Sequence, residues 1–156
     1  MRWLALALAA TTLAPGEPVP VYDLNWTSFA RIGRFDAGEI RTDTGTLDGR
    51  AVARLEPSPD SPAVMRLEFE GPDGRGGGYV GLAGPMAFDF PTRIAVGTPA
   101  AAPHLSGGTF EFTGDRARPR GFVVSYVEGF ICRTEPTACG GVAMWERRFE
   151  GRAVRR

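Results

Sequence analysis

Lysine and glutamine are absent from this 156-residue chain, and Asn25 and His104 are the only residues of their kinds. Every one of the 18 basic residues is therefore arginine, balanced by 18 acidic ones. A chain with no net charge lacks the electrostatic footprint of a nucleic-acid binder. The arginines are scattered, so they read as the mutational bias of a GC-rich genome, bacterial in the first instance. Selection for bidentate recognition of carboxylate or phosphate is the less economical account. A single histidine narrows the chemistry further. A Ser-His-Asp site has to use His104, with Ser106 two residues away, yet no G-x-S-x-G elbow supports it, and His104 reads as a loop residue. Two cysteines and one histidine leave too few ligands for zinc once the cysteines are paired, so neither a metal nor a cofactor is expected.

Long apolar runs are missing as well. The longest begins at Trp3 and, even extended through Leu13, falls well short of the roughly 20 residues that span a bilayer. What that stretch does resemble in composition is an export signal. Arg2 gives a positive start, Trp3 to Ala10 an uncharged apolar segment, and Ala14-Pro15-Gly16 the small residues a signal peptidase inspects. No cysteine follows, which argues against a lipid anchor. The expectation is a signal peptide over residues 1–16 and a single β domain over 17–156, or 156 − 16 = 140 residues. A domain of that size buries about two-thirds of its unfolded surface. Loss of Arg2 leaves it with a net charge near −1, and its location is periplasmic or secreted. Asn25-Trp26-Thr27 fits the glycosylation sequon, which matters only in a host with that machinery.

In an exported chain, Cys132 and Cys139 imply a disulfide. Closing that eight-residue loop stabilises a fold by about 2.5 kcal/mol on the chain-entropy account.

Helical periodicity is nearly absent after residue 16, whereas 21 glycines and 13 prolines punctuate short apolar runs. That pattern predicts an all-β fold of eight or nine strands: an antiparallel β-sandwich, or alternatively a small closed β-barrel. Val21 to Leu24 and Trp26 to Phe35 read as the opening strands, with a turn at Asp36-Ala37-Gly38 into Glu39 to Leu47. Asp48-Gly49, the strongest two-residue hairpin signal here, predicts a second turn into Arg50 to Glu56. Ala63 to Glu70 alternates, with Met65, Leu67 and Phe69 on one face and Arg66, Glu68 and Glu70 on the other. Gly74-Arg75-Gly76-Gly77-Gly78 superficially resembles a phosphate loop. Strand-like Tyr79 to Leu82 follows it rather than a helix, so a flexible hairpin loop is expected. Met86 to Phe90 and Arg93 to Val96 are weaker strands, and residues 98–107 read as a loop.

A hairpin clasped by Cys132 and Cys139 opposes residues whose numbers sum to 271. That register sets Tyr126 against Trp145 and Phe122 against Phe149, with Phe130 on the same face. The other face, carrying Val123, Val127, Ile131, Val142 and Met144, is also apolar. Such a strand pair belongs in the middle of a sandwich or in a barrel wall covered from outside. A short helix over Val142, Trp145 and Phe149 is the competing reading, weakened by Gly140-Gly141.

Carboxylates are the only plentiful catalytic groups. Glu128, between Tyr126 and Phe130, is the one catalytic candidate: on an aromatic face it has the setting of a general acid, or else it pairs with an arginine. Arg116, Arg118 and Arg120 form a basic loop, and Arg147, Arg148, Arg152, Arg155 and Arg156 crowd the C-terminus. Both suit anionic glycan or lipid headgroups, and both equally suit a solvated surface. Trp26, Tyr126 and Trp145 could make a sugar-stacking platform, or be core. The leading expectation is an exported, non-enzymatic module that binds an envelope or extracellular protein, glycan or surface component. Its alternatives are a small barrel carrying an apolar ligand and a carboxylate-dependent glycoside hydrolase centred on Glu128.

Overall fold

The computed structural model describes residues 18–72, 74–81, 84–90, 104–115, 118–133 and 135–156. The export segment, Arg93 to Val96 and Arg116 lie outside them.

Ala37 and Gly38 both hold positive φ, 49° and 89°, the backbone that a type I′ turn demands. For alanine that conformation costs about 1 kcal/mol. The turn joins β1 (Val21–Asp36) to β2 (Glu39–Ser58), which pair without interruption from Asp36 with Glu39 to Val21 with Arg54. The two opening strands expected from sequence are thus one. The expected turn at Asp48-Gly49 does not form, because both residues lie inside β2 opposite Thr27 and Trp26. Gly49 serves another purpose. A Cβ there would stand 2.2 Å from Cζ2 of Trp26, so the indole lies flat over the bare backbone. Asp48 is held by the Thr27 hydroxyl, which donates to its carboxylate at 2.7 Å.

β3 (Ser61–Gly71), β4 (Gly74–Gly81) and β5 (Gly84–Asp89) continue the meander. The glycine run expected to be a flexible loop is strand β4 itself. Its glycines leave room for close approach by rings and by neighbouring backbone: a Cβ on Gly76 would meet Phe69 Cζ at 2.5 Å, one on Gly77 the Leu67 carbonyl at 2.3 Å, and one on Gly78 the Ala87 carbonyl at 2.2 Å and Phe88 Cδ2 at 2.6 Å. β6 (His104–Thr113), β7 (Gly121–Ile131) and β8 (Val142–Arg155) complete the sheet, so residues 104–107 are strand, not loop. β8 also excludes the terminal helix.

Strand order is β5-β4-β3-β2-β1-β8-β7-β6, antiparallel throughout. Every chain neighbour except β5 and β6 is a hydrogen-bonded neighbour, and β1 returns to pair with β8. The sheet curls until its two edges meet, where a Cβ on Gly84 of β5 would stand 2.7 Å from the Gly108 carbonyl of β6. The all-β, antiparallel expectation of eight or nine strands holds with eight, and a single nearly closed sheet is closer to the barrel alternative than to the sandwich.

Alternation sorts the side chains. Tyr22, Leu24, Trp26 and Ile32 of β1, Ala53 and Leu55 of β2, Leu67 and Phe69 of β3, Phe122 to Phe130 of β7 in steps of two, and Trp145, Phe149 and Ala153 of β8 are all buried inside. Phe149 lies at the centre, with ring centroids 5.1 Å from Phe88 and 5.4 Å from Phe69, while Phe88 stacks on Tyr126 at 5.4 Å. Rings therefore fill the middle of the barrel. The outward row of β3 behaves as its alternation implies: Arg66 bonds Glu56, and Glu70 bonds Arg75.

The C-terminal hairpin keeps its faces but not its register. Cys132 and Cys139 are bonded, with Cα atoms 6.5 Å apart. Opposed residues sum to 275, not 271: Tyr126 faces Phe149, Phe130 faces Trp145, and Phe122 faces Ala153. The bridge does not clasp a symmetric ladder. A short 3₁₀ turn, Pro136–Cys139, followed by Gly140 and Gly141 at positive φ (64° and 79°), places the extra residues on the β8 side of the loop. The Cys132 N–H instead donates to the Ala143 carbonyl at 2.7 Å. A four-residue slip is even, so every inward side chain stays inward.

Candidate functional site

The slip has a chemical consequence. In the observed register Glu128 of β7 stands directly opposite Arg147 of β8. Both project inward near the barrel end that carries the β1–β2 turn and the disulfide loop. The Arg147 guanidinium reaches Glu128 Oε1 at 2.8 Å, and the two side chains are 19% and 11% exposed. Its carbon lies 5.3 Å from the Phe90 ring centre and 5.1 Å from that of Trp145, which is cation–π contact on two rings. The Nε of the same guanidinium is buried and takes no hydrogen bond among the described residues. Glu128 is thus held as an ion-pair partner. Arg147 was visible in the sequence only as one of a C-terminal cluster, and its pairing depends on the register.

On the outer face of the same region, β7 and its neighbours leave apolar surface uncovered. Val127 is 39% and Ile131 54% exposed. Met144 stands across from Ile131 on β8. Its chain continues over Gly33 toward Ile40: a Cβ on Gly33 would meet Met144 Cγ at 2.8 Å and Ile40 Cγ2 at 3.2 Å. Ile40 is 56% and the facing Phe35 38% exposed. An apolar strip therefore crosses four strands, β7, β8, β1 and β2. A groove of about 400 Å³ lies along it, lined by Val127, Ile131 and Met144 with Gly129 between them. At its border Arg31 pairs with Glu146 at 3.0 Å, and Arg148 also bonds Glu146. Glu146, the other carboxylate of this groove, belongs to the outward row of β8, whereas Glu128 belongs to the inward row of β7.

The opposite barrel end gathers the remaining candidates. Arg118 and Arg120 are exposed on the β6–β7 loop, and the Arg120 carbonyl accepts from the Arg155 N–H at 2.8 Å. Arg156 is paired with Asp23 at 2.6 Å. The two basic clusters of the sequence are redistributed: residues 118, 120, 155 and 156 share this end, and Arg147 and Arg148 lie toward the other. An opening of about 420 Å³ near this rim is lined by Met65, Val80, Phe110 and Phe112. Tyr22 points inward here, edge-on to Phe122 at 5.2 Å. Burial raises its phenol above the ordinary 10.0, and the charge of Arg155 offsets part of that rise.

Trp26, Tyr126 and Trp145 do not form an exposed platform; each is 3% exposed inside the barrel. His104 heads β6 opposite Phe130, and Ser106 stands opposite Glu128; the His104 side chain lies outside the described residues. Among the described residues no group of three His, Cys, Asp or Glu is placed to hold a metal, and no helix is long and apolar enough to cross a membrane.

The fold and surface define a disulfide-bonded, nearly closed eight-stranded antiparallel sheet with a ring-filled interior and an uncovered apolar strip. No protein-family model, curated protein or solved structure matches the chain.

Proposed function

We propose that this protein is an exported, non-enzymatic binding module whose outer apolar strip docks a protein of the cell envelope or extracellular space. One observation carries the reading: Phe35, Ile40, Val127 and Ile131, each more than a third exposed, line up with Met144 across four adjacent strands. Contiguous apolar surface bordered by charge is the character of a protein interface. Arg31, Glu146 and Arg148 supply that border. The bonded cysteines favour an oxidising compartment, in keeping with the signal-like first sixteen residues.

The alternatives have weaker support. A carrier needs internal space, and the core between the ends is occupied by Phe69, Phe88, Tyr126 and Phe149. The opening beside Met65, Val80, Phe110 and Phe112 is the one feature that favours a carrier, as a shallow site for an apolar ligand. A glycosidase needs two carboxyls facing one substrate. Glu128 instead meets Arg147, and Glu146 belongs to the opposite face of the sheet.

A photo-crosslinking residue at position 131, with position 68 on the far side of the barrel as control, tests the docking reading in the native host. A discrete protein adduct at 131 only, abolished by Met144→Asp, is the expected result. Equal labelling at both positions refutes the docking face.

A further inference from the structure

The hairpin β1–β2 outruns its neighbour on one side. β3 begins to pair with β2 only at Val52, so the segment Glu39 to Ala51 has β1 on one flank and no strand among the described residues on the other. Which backbone groups are left open follows from the turn. Residues flanking a two-residue turn form a hydrogen-bonded pair, and every second pair after it does likewise. Asp36 and Glu39 flank the Ala37-Gly38 turn, so the odd residues of β2 bond β1. The even ones, Ile40, Thr42, Thr44, Thr46 and Asp48, aim their N–H and C=O away from it. Arg50, next in the even series, confirms the direction: its carbonyl lies 2.1 Å from where a Cβ on Gly71 of β3 would stand. The segment has no proline and no register shift, two of the devices that protect a free edge; a third, charged side chains, is present in Arg41 and Asp43. Ile40, Thr42, Thr44, Thr46 and Asp48 are all exposed.

We propose that this edge pairs with the same edge of a second copy of the chain, antiparallel about a two-fold axis at Thr42. Charge favours a second copy as the partner, and charge, ladder length and clearance of β3 together select the register. Centring the axis on Arg41 opposes Arg41 to itself, and centring it on Asp43 opposes Asp43 to itself; like charges directly opposite are unfavourable. Centring it on Thr44 brings the Ala37-Gly38 turn of one copy level with Arg50 and Ala51 of the other, where Gly71 already stands. About Thr42, each Arg41 faces Asp43 of the second copy, twice by symmetry. Ile40 meets Thr44 and Thr42 meets Thr42, each pair exchanging N–H···O bonds between groups that are otherwise open. The turns then end level with Thr46 and Leu47, clear of β3.

Sedimentation equilibrium of the oxidised chain across a concentration series, with hydrogen exchange at Thr42 and Thr44, tests this. A monomer–dimer equilibrium is expected, with those amides protected only in the dimer. Thr42→Pro removes an N–H the barrel does not use, so the variant keeps its near-UV spectrum and stays monomeric. Asp43→Arg sets arginine against arginine and weakens the dimer about tenfold or more. Adding Arg41→Asp restores the opposite-charge pairs and the dimer with them. If Thr42→Pro does not fold, the charge swap decides alone. A chain monomeric at all concentrations, a dimer with Thr42 and Thr44 exchanging freely, or a dimer that Asp43→Arg leaves unchanged overturns the proposal.

Discussion

Replacing either member of the Glu128–Arg147 pair costs more than replacing both. The pair sits inside the sheet wall at 2.8 Å, largely out of water. Removing one partner of a fully buried pair costs roughly 3–5 kcal/mol, because the survivor is left charged and uncompensated. Here the side chains retain 19% and 11% exposure, so solvent reaches part of the surviving charge. An arginine left alone also keeps its contacts with Phe90 and Trp145. We therefore expect Glu128→Leu to cost about 2 kcal/mol. Arg147→Met should cost about 3 kcal/mol, since it takes the Arg147 charge from Glu128 and also ends both ring contacts. The double variant replaces two buried ions, one with its Nε already unpartnered, by apolar groups of similar length. Its loss should be no larger than that of the milder single. The resulting coupling, about 3 kcal/mol or more, is read from urea unfolding of the four proteins at fixed pH. Moderate salt should leave the coupling unchanged, as a surface pair would not. Losses that simply add, or a coupling that vanishes in salt, would refute the claim that this pair is a desolvated structural unit.

Gly49→Ala places a methyl 2.2 Å from Trp26, an indole 3% exposed and unable to move aside, and should lower stability by about 3 kcal/mol in chemical denaturation. Gly107→Ala meets nothing within 4 Å and should be neutral or stabilise by a few tenths of a kcal/mol; equal effects at 49 and 107 would sink the steric argument. Cys132→Ser with Cys139→Ser should cost about 2.5 kcal/mol, seen as a drop of roughly 8 °C in melting temperature. The register should survive, because the Cys132 N–H to Ala143 bond and the sheet ladder do not need the bridge. Tyr22 is neutral in the fold, with its phenol raised by burial. Its contribution is therefore intact below pH 10 and lost as pH climbs through the raised folded value. The difference between alkaline unfolding curves of the parent and Tyr22→Phe should open only above about pH 10. A difference already present and growing near neutrality would contradict it.

Much of the architecture was legible in the chain. Alternation in β3 and in the last hairpin grouped the residues that share a face correctly, down to Phe122, Tyr126, Phe130, Trp145 and Phe149; which face of that hairpin is inward was left open. The cysteine spacing gave the bridge, and Asp36-Ala37-Gly38 gave the first turn. Two of the errors share one cause: glycine has two uses. At Gly49, Gly76 and Gly78 its bare backbone accommodates Trp26, Phe69 and Phe88, which lie elsewhere in sequence, so no local signal separates a turn glycine from a packing glycine.

The docking strip and the ion pair were half-legible in the same way. The apolar outward row of β7 and β8 was visible, but not that it would lie uncovered. Glu128 stood out, but not its partner, because an even slip of register preserves every face while changing every neighbour. Period-two alternation is a property of the chain, so the sequence alone determined which side chains share a face. Which residues touch across strands, whether the sheet closes, and which edge of β2 stays open depend on loop shape and on packing between distant segments. Those the tertiary structure alone decided.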